Sequence, residues 1–227
     1  MVAADAAIFA DTQAEPRAVY RHLWSVLAPR CAAVGFPLHV VSAGDLAEDI
    51  AGRTTTRIPA FVDTGMMPRQ CTRDYKLRPI RRELRRMVGR RGSAVQLLGI
   101  SLDEVQRMRT SPVGWLATEY PLVDRRMTRW DCERFLAARG IEAPKSACVF
   151  CPFHSDAQWR DLSPEDFTAA AAFEERMQGA MRGHQKTLRG VPYLHRSLRP
   201  LRLVDLSTAE DHGQLNWLGE CQGVCGV

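Results

Sequence analysis

The sequence predicts an α/β fold built on a parallel sheet, with a helical appendage at its C-terminal end. Three observations carry this. An apolar run, an amphipathic stretch and a second apolar run follow one another between residues 5 and 41, the pattern of a βαβ unit. A further apolar run, Ala94–Ile100, leads directly into polar residues, as buried strands of parallel sheets do. After residue 162 only helical signals remain.

Taken in order, Asp5–Ala10 reads as a buried strand, broken by Asp11-Thr12-Gln13-Ala14-Glu15-Pro16. Proline suits a first helical turn, so a helix is expected from Pro16, with Val19, Tyr20, Leu23, Trp24 and Leu27 as its apolar stripe. Phe36-Pro37 ends it, and Leu38–Val41 forms the second strand. Residues 44–70 are polar and interrupted by Gly52, Pro59, Gly65 and Pro68, which predicts a long loop delivering Cys71 to a site. Leu77, Ile80, Leu84 and Val88 then share one helical face, while Arg78, Arg81, Arg82, Arg85, Arg86 and Arg90 cover the others. Past the strand at Ala94–Ile100, Thr128 with Asp131 three residues on marks a helix start, and that helix runs to about Gly140. Ser163-Pro164-Glu165-Asp166 marks another, continuing to about Met181. The tail from Gly219 to Val227 is glycine-rich.

The chain's 227 residues suffice for one α/β domain with an appendage, and the boundaries expected are 1–162 and 163–227. No apolar run reaches the roughly 18–20 residues of a membrane span, and no basic region precedes an apolar run at the N-terminus. A cytoplasmic location is therefore expected. Seven cysteines without a secretory signal argue for ligands, reactive thiols or core residues rather than a disulfide framework. Cys31 and Cys132 lie in helical segments and read as core or half-buried. The net charge is +5, with 31 basic residues against 26 acidic ones and arginine far outnumbering lysine. Guanidinium forks suit phosphate, so the Arg78–Arg91 helix offers a surface to nucleic acid, with a solvated charged face as the alternative.

Cys148-Val149-Phe150-Cys151 is a C-x-x-C loop followed at once by Pro152. Two sulfurs at this spacing hold one metal or one cluster, and Cys71, among basic neighbours, is the third ligand expected. Three thiolates fit a tetrahedral zinc with His154 as fourth ligand, or a [4Fe–4S] cluster with one open iron. Spacing does not choose between them. Arg73, Lys76 and Arg78 adjoin Cys71 and are assigned to substrate phosphate. Asp11 and Thr12 follow one strand, and Gly99, Ser101, Asp103 and Glu104 another. Ligands bind at such strand ends, where acids hold ribose hydroxyls or magnesium. Ordinary helix caps are the alternative. Cys221 and Cys225 form a second pair in the tail.

Several segments, in order, resemble the phosphoadenosine-phosphosulfate-reductase-like branch of the PP-loop ATP pyrophosphatases, the adenine nucleotide alpha hydrolases. Ile8-Phe9-Ala10-Asp11-Thr12-Gln13-Ala14-Glu15 is similar to that family's strand-end D-T-G/Q-A-E segment. Gly99-Ile100-Ser101-Leu102-Asp103-Glu104 resembles its G-I-R-x-D-E, and Tyr120-Pro121-Leu122-Val123-Asp124 its Y-P-L-I-D. Cys71 with Cys148 and Cys151 is similar to the three-cysteine cluster of sulfur-inserting members. The resemblance spans roughly residues 5 to 162.

It implies a Rossmann-like five-stranded parallel sheet of the HUP type and ATP, with magnesium, used to adenylate a substrate oxygen with release of pyrophosphate. Sulfur then displaces AMP. By the same resemblance Asp11, Thr12, Gly99 and Ser101 line the nucleotide pocket, and the cluster is favoured over zinc. The expected partners are a nucleotide substrate, a sulfur donor and a second copy of the chain as a homodimer. The family's S-G-G-x-D-S phosphate loop and the strand before it have no counterpart ahead of Asp5. A misplaced start is the favoured expectation, and loss of ATP cleavage the other. Glu220-Cys221 is similar to the Glu-Cys-Gly motif of the reductases, with Gln222 replacing glycine, so Cys221 is the catalytic thiol of a reductase reading. A non-catalytic, metal-stabilised nucleic-acid-binding module is the third reading.

Overall fold

In a computed structural model, which describes residues 4–52, 58–182 and 190–207, the first βαβ unit forms as expected. β1 (Ala7–Asp11) and β2 (Leu38–Ser42) pair in parallel, with Ala7 opposite Leu38 and Asp11 opposite Ser42. Between them the chain is helical from α1 (Arg17–His22) through a π turn at Leu23–Leu27 into α2 (Ala28–Ala33). Pro29 explains the π turn, because it has no N–H to bond four residues back and its ring crowds that carbonyl. The wider turn also alters the angular step. Val19 and Leu23 of the predicted stripe are buried, but Trp24 is turned out, 55% exposed.

The stretch expected to be a long loop contains core structure. Asp45 caps α3 (Leu46–Ala51) by accepting hydrogen bonds from the backbone N–H groups of Ala47 and Glu48. Leu46 and Ile50 of α3 are almost fully buried, as are Ile58 and Ala60 beyond it. A two-residue hairpin follows, β3 (Phe61–Val62) against β4 (Gly65–Met66), and Phe61 also bridges to Tyr193. Six helical residues between glycines give too short a periodic signal to be seen in the sequence.

A second π turn, Thr72–Leu77, runs into α4 (Arg78–Val88), and again a proline, Pro79, stands two residues beyond it. α4 packs on β1 and β2. Its far end is tied to the second strand pair, β5 (Ala94–Leu97) and β6 (Leu116–Glu119), which is also parallel. Arg85 donates to the carbonyls of Gly89, Arg90 and Gly92 and lies 3.8 Å over the Trp115 ring. Gly92 is required here, since a Cβ would sit 2.1 Å from the Val88 carbonyl oxygen. The fold is thus mixed α/β with parallel strands. The strands form two separate parallel pairs, and among the described residues no strand hydrogen-bonds to both β1 and β5.

Beyond β6 come α5 (Pro121–Asp124) and α6 (Arg129–Ala137), the latter opened by the Thr128–Asp131 capping box expected from the sequence. α7 (Asp156–Arg160) and α8 (Pro164–Met181) begin at Ser155 and Ser163, whose hydroxyls accept from the backbone of Gln158 and Asp166. Phe173 and Met177 of α8 share one core with Leu46, Ile50, Tyr75, Phe150 and Trp159. Among the described residues no helix is long and apolar enough to cross a membrane.

Glu174 fastens the last described segment to this core. Its two carboxylate oxygens accept from the backbone N–H groups of Leu194 and Leu201, at 2.8 and 2.6 Å. Burial holds this carboxyl above the usual glutamate range, against the two N–H donors that favour ionisation. A raised folded-state pKa means stability falls as pH rises through it. Glu174→Gln leaves an amide nitrogen facing a backbone donor, so it should lower unfolding free energy by about 1–3 kcal/mol at pH 5. In urea titrations the gap to the native sequence should narrow as pH rises from 5, because only the native chain can take on the buried charge.

Candidate metal–thiolate site

The C-x-x-C loop is anchored by the two residues between its cysteines. Val149 and Phe150 are both apolar and buried, and Phe150 stacks on Phe173 of α8 with ring centroids 3.8 Å apart. The loop closes on itself through a bond from the Cys151 N–H to the Cys148 carbonyl, 2.9 Å, and the His154 N–H bonds the Cys151 carbonyl at 3.1 Å. It docks on the segment leaving β1: the Val149 N–H donates to the Ala14 carbonyl at 2.8 Å. Thr12, almost fully buried, has its hydroxyl 3.5 Å from the Cys148 sulfur. The sequence reading placed Thr12 at a strand end and Cys148 in a cysteine site, and the fold brings the two together.

An ion pair between a half-buried lysine and a fully buried glutamate lies beside the sulfurs. Lys76 Nζ is 3.0 Å from Glu15 Oε1, and the Glu15 side chain has no exposed surface. Ser146 donates its hydroxyl to the other oxygen, Oε2, at 2.9 Å. Burial alone would lower the Lys76 pKa, but the Glu15 carboxylate and the sulfurs of Cys148 and Cys151 hold it above the ordinary lysine range. Cys148 is pushed up to about 12, chiefly by burial, with Lys76 acting in the opposite direction. This thiol is therefore protonated at neutral pH unless something replaces its proton. Cys71 stands at the head of the π turn that carries Lys76, half-buried, and packs against the same core as Cys148. Arg69, two residues earlier, lies 5.2 Å over the Phe153 ring, which sets the approach to Cys71 beside the loop that follows Cys151. Among the described residues no three His, Cys, Asp or Glu side chains converge as a ready-made ligand set.

His154 meets the requirements of a nitrogen donor. Its Nδ1 is buried and has no hydrogen-bond partner among the described residues. Burial, aided by Lys145, pushes its pKa down to about 4, so the ring is neutral. It sits edge-on to Trp159, centroids 4.6 Å apart.

The remaining expected site residues divide. Asp11 accepts from the Tyr20 hydroxyl at 2.7 Å and from the Gln13 N–H at 2.8 Å, an Asx turn that shapes the exit from β1. Arg73 and Arg78 both bind the buried Asp74, with Arg78 Nη1 at 2.8 Å from Oδ1. Arg78 also lines a cleft of about 250 Å³ with Arg82, Asp49 and Tyr75, just past the carboxyl end of β2. Asp103 accepts from the Arg129 N–H at 2.6 Å, and Glu104 pairs with Arg107. Both acids thus serve as local anchors. Ser101 is buried, and Gly99 packs beside Leu122. Cys31 and Cys132 are half-buried, as expected. Cys221 and Cys225 lie outside the described residues. Glu15 and Ser146 were not singled out from the sequence. The acid ending Asp11-Thr12-Gln13-Ala14-Glu15 was a visible signal for the first, whereas nothing marked the second.

Searches against protein families, curated proteins and solved structures find no match to this chain.

Removing the half-buried Lys76 leaves the fully buried Glu15 charge without its cation. Lys76→Met should therefore lower unfolding free energy by about 3 kcal/mol. Adding Glu15→Gln to it should recover a large part of that loss. A denaturant double-mutant cycle reads both, and additive losses would show that the two side chains are not coupled.

Proposed function

We propose that this chain is an ATP-dependent sulfurtransferase with a Rossmann-like, PP-loop-type fold, holding a [4Fe–4S] cluster through Cys71, Cys148 and Cys151. One observation carries the reading. A thiol pair is docked at the carboxyl end of a parallel strand, beside a lysine that a buried glutamate holds in place. Three thiolates bring concentrated negative charge, and Lys76 is positioned to offset it. Thiols in an apolar setting keep their protons until a metal displaces them, so closing the ligand set is coupled to metal binding. A cluster held by three cysteines supplies one iron with a free position for a sulfur ligand.

The chain's own residues do the rest. Glu15 and Ser146 fix Lys76. Thr12 orients the Cys148 sulfur. Val149 and Phe150 keep water from one side of the loop. Asp11, Thr12, Gly99 and Ser101 are assigned to the nucleotide by the sequence resemblance, with the nucleotide carrying magnesium. Asp103 and Glu104 are less available for this role, being engaged with Arg129 and Arg107.

A second reading has its own support. The unpartnered Nδ1 of the neutral His154 ring suits a zinc completed by Cys71, Cys148 and Cys151. That centre would have no open position and would be structural.

Protein isolated without oxygen should contain iron and acid-labile sulfide in equal amounts and absorb in the visible. Serine at Cys71, Cys148 or Cys151 should each abolish both signals. Stoichiometric zinc with no iron, lost on His154→Ala, would replace the first reading with the second.

A further inference from the structure

We infer that the outward face of α6 is a docking surface for single-stranded nucleic acid, held by base stacking on Trp130 and Phe135 and by phosphate contacts to their neighbouring arginines.

No residue of α6 is buried. Helical geometry, at about 100° per residue, puts Trp130 and Phe135 about 140° apart, with Arg134 between them on one half of the circumference. The half-buried Cys132 and Leu136 lie on the other. Trp130 is 61% exposed and Phe135 50% exposed. Each ring has an arginine over it: Arg134 at 4.4 Å from the Trp130 centroid and Arg139 at 3.5 Å from that of Phe135. The acids of this stretch are turned to other work. Asp131 closes the capping box with Thr128, and Glu133 pairs with Arg129 at 2.9 Å. Between residues 125 and 139 there are five arginines against two carboxylates.

This combination selects a class of partner. Two rings, each with a guanidinium against it, offer stacking surface and positive charge side by side. A nucleobase has an aromatic face for the rings and a phosphate for the arginines, and stacking tolerates any base. Bases in a duplex are already stacked on each other, so an unpaired strand fits better. The arginine helix α4, expected from the sequence to meet nucleic acid, is less suited. Arg78 is tied to Asp74, Arg85 to its own helix end and Trp115, and Arg86 to Glu83. The inference does not depend on what the cysteine site holds.

Fluorescence anisotropy of labelled single-stranded RNA and DNA oligonucleotides, with the full chain, tests it. Single strands should bind more tightly than a duplex of the same sequence, with affinity falling steeply as salt rises. Trp130→Ala should weaken binding roughly tenfold or more. Arg134→Gln should reduce the salt slope by about one. Both side chains are exposed, so circular dichroism and metal content should not change, which separates this result from failure of the cysteine-site reading. The inference is overturned by undetectable binding at low salt, or by binding that survives Trp130→Ala but is lost in Arg81→Ala/Arg82→Ala. A concentration-dependent dimer dissolved by Trp130→Ala would also overturn it, making a second copy the occupant.

Discussion

The carboxylate of Glu15, with no exposed surface, holds together three segments that are far apart in the chain. It belongs to the loop leaving β1. It takes one bond from Lys76, in the helical run that becomes α4, and one from Ser146, just ahead of the C-x-x-C loop. A buried ion is tolerable only if its partners are fixed, so the position of each segment is a condition for the other two. The Val149–Ala14 backbone bond and the Thr12–Cys148 contact follow from that arrangement. The sulfurs therefore have a place defined by the first strand rather than by their own short loop.

The core reinforces this from the other side. Phe150 stacks on Phe173, so α8 forms a wall of the cysteine loop. Glu174, one residue further on, then fastens the chain around Leu194 and Leu201. His195, buried against Asp156 of α7, carries the same tie onward. Cys71 and Cys148 pack against the core cluster of the described residues, while β5, β6 and α6 are tied in by Arg85 over Trp115 and by the bond from the Arg129 N–H to Asp103.

What was legible in the sequence is what local chemistry decides. β1, β2 and β5, the helix starts at Thr128 and Ser163 and the half-buried state of Cys31 and Cys132 all rest on a few adjacent residues. β6 and α3 were missed because four to six residues carry little periodicity, and α3 draws its stability from burial of Leu46 and Ile50. The Glu15–Lys76 pair joins residues 61 apart in sequence, a relation that no local pattern encodes. The arginines of α4 looked like one cationic surface. Asp74, Glu83 and Trp115, which engage several of them, become neighbours only through helical turns and the fold.

The π turn ahead of α4 has a consequence of phase. Cys71 and Lys76 are five residues apart. On an α-helix, side chains five apart diverge by about 140° around the axis. In a π turn the backbone bonds i to i+5, so the divergence at that spacing is smaller. Pro79, two residues beyond the wider turn, thereby helps set the direction in which Lys76 leaves it, toward Glu15 and the sulfurs of Cys148 and Cys151. A residue with no donor, no charge and no metal chemistry acts as the angular gauge of the site.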